Sequence, residues 1–118
     1  MGIRILRQSA TVGGLAPQGH PARSVSEPAC RLGTLEVPLA GAGANECGLW
    51  ECTPGRFARQ VEGAEVMHLL AGAGNFTPIG GEPLAFRAGD TLFFPAHTTG
   101  VWDIRETVRK VFVVMPAA

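Results

Sequence analysis

Two stretches decide the fold: GLWECTPGRFARQVEGAEVMHLLAG at 48–72 and RAGDTLFFPAHTTGVWDIRETVRK at 87–110. In both, short runs of apolar and β-branched residues alternate with breaks that contain glycine or proline, a pattern typical of short strands joined by tight turns. The predicted strands lie at 48–52, 56–61, 65–70, 74–78, 83–86, 91–94, 99–104 and 107–114. Eight short antiparallel strands predict an all-β domain, either a jelly roll or a comparably small barrel.

The composition excludes several classes of function. The chain has 118 residues with 10 basic and 10 acidic side chains and no basic stripe, so we expect no binding to nucleic acid. Its apolar runs are far shorter than the roughly 20 residues of a membrane-spanning helix, so we expect no membrane partner. Three cysteines and an N-terminal stretch without signal-peptide character predict free thiols and a cytoplasmic location.

The chain divides into two regions. We interpret residues 1–35 as an extended N-terminal arm with a first strand region, because residues 11–30 are rich in Gly, Pro, Ala and Ser. Residues 36–118 contain the predicted barrel, which makes the chain a single domain with an arm. Because the edge strands of a barrel can pair with a second subunit, we expect a homodimer with the arm laid across the partner.

Several spaced motifs resemble the cupin superfamily. Glu65 and Gly72 have the spacing at the end of the first cupin motif, and Gly89 and Pro95 have the spacing at the start of the second. The surrounding segments look like the short single-domain cupins grouped with (S)-ureidoglycine aminohydrolase, the DUF861 type. The resemblance covers about residues 36–115 and implies the RmlC-like jelly-roll fold. It does not imply a substrate.

The resemblance also implies a metal site, for which most of the ligands are missing. The cupin site uses three histidines and one glutamate, and Glu65 is the one ligand present. The three histidine positions hold Ala58 and Gln60, or Arg59 and Val61, in the first motif, and Gly100 in the second. Since one carboxylate does not hold a divalent ion, we expect no metal and no other cofactor. If a divalent metal does bind, the remaining donors are Glu65, His97 and Gln60.

Glu65 is the best candidate for a catalytic group. A carboxylate inside a barrel is stable when it is paired or hydrogen-bonded, and Arg56 or Arg59 on the preceding strand could be its counter-ion. Alternatively, Glu65 stays partly protonated and acts as an acid or base. A third possibility is a purely structural carboxylate, and the sequence leaves all three roles open.

The inside of the barrel is the predicted ligand site. Because side chains alternate along a strand, Met67 shares a face with Glu65, and Trp102 shares a face with Gly100. We expect Gly100 to leave space where a ligating imidazole would stand, with Trp102 filling or flanking it. The predicted pocket residues are Trp50, Arg59, Gln60, Glu65, Met67, His97 and Trp102. The alternative is that both tryptophans are simply core.

A charged run follows Trp102. Its members, which carry charges of both signs, are Asp103, Arg105, Glu106, Arg109 and Lys110. We interpret this run as a turn on a solvated edge, where ion pairs contribute little to stability. An Arg-Lys pair recurs in the cupins that the chain resembles, which implies a fixed structural role for Arg109.

Three functions are compatible with these residues. The first is a small cupin that binds a small polar metabolite, either nitrogen-rich or a carboxylate, without the three-histidine metal site. The second, implied by the resemblance, is a metal-dependent hydrolase similar to ureidoglycine aminohydrolase. The third is an accessory or regulatory protein that acts through its dimer surface. The sequence shows no nucleophile-and-base motif, and it leaves open whether the protein is an enzyme.

Overall fold

The fold is built from strands alone in the part of the chain that the structure, a computed structural model, describes, namely residues 2–116. The strands are β1 (Ala16–Pro17), β2 (Leu32–Glu36), β3 (Glu46–Cys52), β4 (Gly55–Val61), β5 (Ala64–Pro78), β6 (Leu84–Arg87), β7 (Thr91–Phe94) and β8 (Thr98–Met115). The predicted all-β class is confirmed. Residues 2–116 contain no helix long and apolar enough to cross a membrane.

The two longest strands, β5 and β8, form the frame of the barrel. They pair antiparallel along nearly their whole length. The first half of β8 also pairs with β4 and its second half with β3. In the same way, the first half of β5 pairs with β7 and its second half with β6. Each long strand therefore belongs to both halves of the barrel and encloses one core between them.

Each long strand was predicted as two short ones. The predicted strands merge in pairs, 65–70 with 74–78 in β5 and 99–104 with 107–114 in β8. The expected break at Gly72 is a bulge, with a φ of +90° and shifts of register on both sides. A Cβ at Gly72 would lie 2.3 Å from the carbonyl oxygen of Thr107. Glycine therefore lets the bent strand stay close to its partner, so that pairing resumes beyond the bend.

The N-terminal arm packs on the barrel of its own chain. Strand β1 pairs with β2, and β2 adds to the sheet beside β3, so the predicted boundary at residue 35 falls inside β2. Arg109 holds the segment before β1, because its guanidinium donates to the carbonyl oxygens of Ser9 and Val12. The same guanidinium donates to the Glu51 carboxylate over 2.9 and 3.0 Å. In this single chain the arm lies on its own barrel, and the homodimer with the arm across the partner stays a prediction.

The two faces of the curved sheet differ in their exposure. The inward-facing core consists of Cys30, Cys52, Phe57, Val61, Met67, Leu69, Phe76, Phe86, Phe94, Trp102, Ile104, Val108 and Phe112. On the outer face, Phe93, Val111 and Val113 are exposed side chains of β7 and β8. Because side chains alternate between the two faces of a strand, the inward-facing ones fill the barrel. The outward-facing Phe93, Val111 and Val113 form an exposed apolar strip.

Gly100 does not leave the empty space that the sequence predicted. A Cβ at this position would lie 2.3 Å from the carbonyl oxygen of Thr77 and 2.6 Å from the ring of Phe76. The Phe76 ring fills the position expected for an imidazole and packs edge-on against Trp102, with 5.0 Å between the ring centroids. The expectation was wrong because it considered β8 without its neighbour β5.

We predict that Gly100→Ala destabilises the protein, because the added methyl group meets backbone and an aromatic ring that cannot both move away. Overpacking of this kind costs about 1–3 kcal/mol in the free energy of unfolding, measurable by urea denaturation. Gly13→Ala is the matched control, since a Cβ there would meet nothing within 4 Å. Equal stability of the two variants would contradict this account of the packing.

Candidate functional site

A cavity of about 480 Å³ opens into the barrel, with part of its wall supplied by the arm. Its inner wall includes the apolar side chains Trp50, Phe57, Met67, Trp102 and Phe112. Its outer part includes the exposed polar side chains His20, Arg23, Glu36, Glu46, Arg59 and Gln60. An apolar interior with a polar entrance is the usual construction of a site for a small molecule.

A buried ion pair lies in the wall of this cavity. The Nζ of Lys110 donates a hydrogen bond of 3.0 Å to the Oε2 of Glu65. The two side chains are only 8% and 6% exposed, so both charges have lost most of their hydration. A pair at this depth is held by its own attraction and by whatever other polar contacts it makes.

Lys110 makes its other contacts with polarisable groups. Its Nζ lies 3.4 Å from the sulfur of Met67 and 4.4 Å from the centre of the Trp50 ring. The ring of Trp102 is 5.3 Å away. Aromatic faces attract a cation, most strongly where water is excluded. The two tryptophans therefore serve both the core and the site, and they partly replace the water that the ammonium group has lost.

Burial lowers the pKa of Lys110 below the ordinary value for lysine. The negative charge of Glu65 and its hydrogen bond oppose this shift, while the positive charge of Arg59 adds to it. Desolvation is the largest of these effects because it penalises the ammonium form alone. The amine form of Lys110 is therefore easier to reach than that of an exposed lysine.

The register of the sheet brings the pair together. Trp50 on β3 and Leu69 on β5 are the direct neighbours of Lys110 on β8. Glu65 lies further along β5, opposite Val114. The long side chain of Lys110 runs along the inside of the barrel past Met67 to reach the carboxylate. A shorter cation at position 110 would not span this distance.

The structure brings most of the predicted pocket residues to one cavity. Trp50, Arg59, Gln60, Glu65, Met67 and Trp102 all line it. His97 is outside this lining and is exposed in the turn before β8, where its backbone has a φ of +64° and its N–H donates to the carbonyl oxygen of Glu62. The expected counter-ion was wrong as well. Glu65 is paired with Lys110 and not with Arg56 or Arg59.

The residues around Glu65 do not fit the metal that the fold implies. Nowhere in residues 2–116 do three His, Cys, Asp or Glu side chains come close enough together to hold a metal ion. The Oε2 of Glu65 already accepts from an ammonium group, which would repel a second cation. His97 is exposed and is not among the residues that line the cavity with Glu65 and Gln60, so the improvised donor set of the sequence prediction does not assemble there.

Two features of the site escaped the sequence prediction. Lys110 was placed on a solvated edge, although it is 6% exposed. It is an even number of residues from Trp102 along one unbroken strand, and this spacing puts both side chains on one face. The other feature is the arm, whose residues His20 to Arg23 close one side of the cavity. Nothing in their composition indicates this contact.

We predict that the buried pair is strongly coupled. Lys110→Met or Glu65→Leu alone leaves an unpaired buried charge and lowers the free energy of unfolding by about 3–5 kcal/mol, whereas the double variant lowers it by much less than the sum. Urea denaturation of the wild type, the two single variants and the double variant gives the coupling free energy between positions 65 and 110. The exposed pair Arg105 and Asp103 is the control, with an expected coupling of about 0–1 kcal/mol. Additive effects at 65 and 110 would contradict the pairing.

We also predict a pH dependence that comes from Lys110. Its pKa is lower in the folded chain than in the unfolded chain, where lysine titrates near about 10.4. Between these two values the unfolded chain binds more protons, so stability rises with pH. The free energy of unfolding of the wild type minus that of Lys110→Met should therefore increase as the pH rises toward about 10.4, the value for an unfolded lysine. A constant or falling difference would contradict the lowered pKa.

Comparisons with known proteins place this chain in a family. Residues 39–112 match the family described as EutQ-like cupin domain. No curated protein matches the chain. A solved structure of a protein of unknown function in the DUF861 family, from Pseudomonas syringae pv. tomato, superposes with a TM-score of 0.78 at 24% identity. The match covers 88% of this chain and 45% of that one, so this chain spans less than half the length of the Pseudomonas protein.

Two further solved structures share the fold. The EutQ protein of Clostridium difficile matches with a TM-score of 0.66 at 17% identity, over 77% of this chain and 72% of that one. Ectoine synthase from P. lautus matches with a TM-score of 0.68 at 15% identity, over 98% of this chain and 78% of that one. At such identities the likeness concerns the fold alone. The match to the family model covers well over half of the sequence, and this chain therefore belongs to the EutQ-like cupin family.

Proposed function

We propose that this chain is a small-molecule-binding cupin that holds a small polar metabolite in its barrel without the three-histidine metal site. One observation carries the proposal: the ion pair of Lys110 and Glu65 is buried, yet both residues line an open cavity. An ion pair with only a structural role has no need of a cavity beside it. The cavity beside the pair therefore favours a binding site in which a ligand contacts the charged groups of Lys110 and Glu65.

The size and the walls of the cavity support this proposal. Its volume of about 480 Å³ lies within the range of about 300–1,000 Å³ that is usual for ligand sites. Trp50 and Phe57 have a centroid separation of 6.5 Å, and Trp50 and Trp102 one of 6.3 Å. Flat aromatic walls of this kind pack against uncharged planar groups such as an amide or a carbonyl.

The charges along the cavity narrow the class of ligand. Its basic side chains are Arg23, Arg59 and Lys110, and its acidic side chains are Glu36, Glu46 and Glu65. Because Lys110 and Glu65 neutralise each other, the exposed arginines are the free donors for an anionic group at the entrance. We infer a small carboxylate whose other end carries a polar group toward the buried pair.

The other two functions predicted from the sequence have less support. A metal-dependent hydrolase would need donors that residues 2–116 do not bring together around Glu65. An accessory protein acting through its dimer surface would use the exposed apolar strip of Phe93, Val111 and Val113. That strip is on the outside of the barrel, so such a role would coexist with ligand binding inside.

We predict that small carboxylates stabilise the folded chain. A ligand at 100 times its Kd raises the free energy of unfolding by about 2.7 kcal/mol, which a domain of this size shows as a rise in Tm of several degrees. The measurement is a thermal-shift screen of small hydroxy acids, dicarboxylates and ureido acids, followed by calorimetry. If no compound raises Tm at millimolar concentration, the binding proposal fails.

Two arginine variants locate the binding. Arg59→Gln removes a donor at the cavity and should weaken binding roughly tenfold, the usual effect of losing one hydrogen bond to a charged group. Arg105→Gln is the matched control, because Arg105 is a largely exposed arginine outside the cavity lining. Equal weakening by both variants would indicate a general effect of charge and would contradict the proposed place of binding.

A further inference from the structure

Lys110 is the only lysine in the chain, among nine arginines. Eight of the nine arginines are exposed, and the ninth, Arg109, is buried and holds Glu51 and the arm, while the single primary amine of a side chain lies in the cavity wall. The two cations differ chemically. A guanidinium stays protonated in proteins, whereas an ammonium can lose a proton and become a nucleophile. A positive charge alone does not explain why the one lysine is at this position, since an arginine would also supply it; an amine that can lose its proton would.

We propose that Lys110 forms an imine with a small 2-oxo acid, so that the cavity captures carbonyl compounds covalently. This inference rests on the proposed function, since the ligand must first enter the cavity as a carboxylate. It goes further by giving Nζ a chemical role and by naming a carbonyl as the second group of the ligand.

The surroundings of Nζ suit this reaction. Burial and the positive charge of Arg59 both favour the amine form, which is the nucleophile. The Glu65 carboxylate, 3.0 Å away, is within reach to accept and return a proton. Trp50 and Trp102 cover the amine from two sides and leave little room for bulk water, which would hydrolyse an imine.

The reaction balances with the groups present. Glu65 takes one proton from the ammonium, and the free amine attacks the carbonyl carbon, forming a C–N bond. Glu65 returns that proton to the new alkoxide, which becomes a hydroxyl group. Glu65 then removes a second proton from nitrogen and donates it to the hydroxyl as it leaves as water. The product is a protonated imine on Lys110, and Glu65 is again a carboxylate.

The ligand class follows from the two ends of the cavity. The exposed Arg23 and Arg59 line its outer part and suit a carboxylate, while Lys110 lies in its buried wall. A carbonyl adjacent to a carboxylate, as in a 2-oxo acid, places an electrophile next to the group that the arginines attract. Larger carbonyl compounds are limited by the volume of about 480 Å³.

The test is reductive trapping with glyoxylate as the probe. Wild-type protein is incubated with glyoxylate and sodium cyanoborohydride, which adds hydride to an imine and makes it permanent. We expect one adduct per chain, and peptide mapping should find it on Lys110, the only lysine. An adduct on the α-amine alone, or the same yield on Lys110 after unfolding in urea, would overturn the inference.

Two variants and one second ligand complete the test. Lys110→Arg keeps the positive charge and should lose the adduct, while Glu65→Gln should slow its formation roughly tenfold or more because it cannot accept a proton. If Lys110→Arg does not fold, peptide mapping of the wild-type adduct is the test, and an adduct absent from Lys110 overturns imine formation. Glycolate, which has a hydroxyl group in place of the aldehyde, separates the two proposals. If glyoxylate gives no adduct on Lys110 while glycolate or another carboxylate of the thermal-shift screen binds, imine formation fails and the binding function stands. If there is no adduct and no carboxylate of the screen binds, both fail.

Discussion

The buried ion pair between Lys110 and Glu65 is the interaction on which the organisation of this barrel depends. Two charges that are almost free of solvent are tolerated only when each satisfies the other. Here the attraction acts across β5 and β8, the two strands that frame the fold. Their register therefore has to be correct to within one residue, because a slip would turn one of the two charges out of the barrel. The pair thus contributes specificity of register in addition to whatever net stability it contributes.

The aromatic side chains around the pair follow from the same constraint. Trp102 contacts Phe76, Phe86 and Phe94 with centroid distances of 5.0 to 5.6 Å, so it is anchored in the core on one side. Its other side lies near the ammonium of Lys110. A core that is rigid on this side keeps the rings in place over the cation. Packing and site chemistry therefore use the same residues.

Much of the fold could be predicted from the sequence, because alternation and glycine-containing breaks are local signals. The division of β5 into two strands was wrong because Gly72 was taken as a turn, and only the partner strand shows that it is a bulge. The division of β8 was wrong because the charged run after Trp102 was taken as a turn, whereas it continues the strand. In the site, Glu65 and Met67 were found through their motif and their alternation. Lys110 was missed because a run of charges ordinarily indicates solvent. The wall formed by residues 20–23 was beyond prediction, since it depends on contacts between regions far apart in sequence.

A lysine beside the single carboxylate changes what a cupin barrel can do. A metal ion offers several coordination positions, and it can be exchanged or lost. An ammonium tethered to β8 is always present at one per chain, offers three hydrogen-bond donors and can give up a proton. The imine formation that we propose would use the exchange of one proton between Lys110 and Glu65, which are joined by a hydrogen bond. Burial favours the amine form of Lys110 and Glu65 favours the ammonium form, so the two act in opposite directions on the balance between these forms. A ligand that withdraws Glu65 from the pair, or brings its own carbonyl to Nζ, would shift that balance.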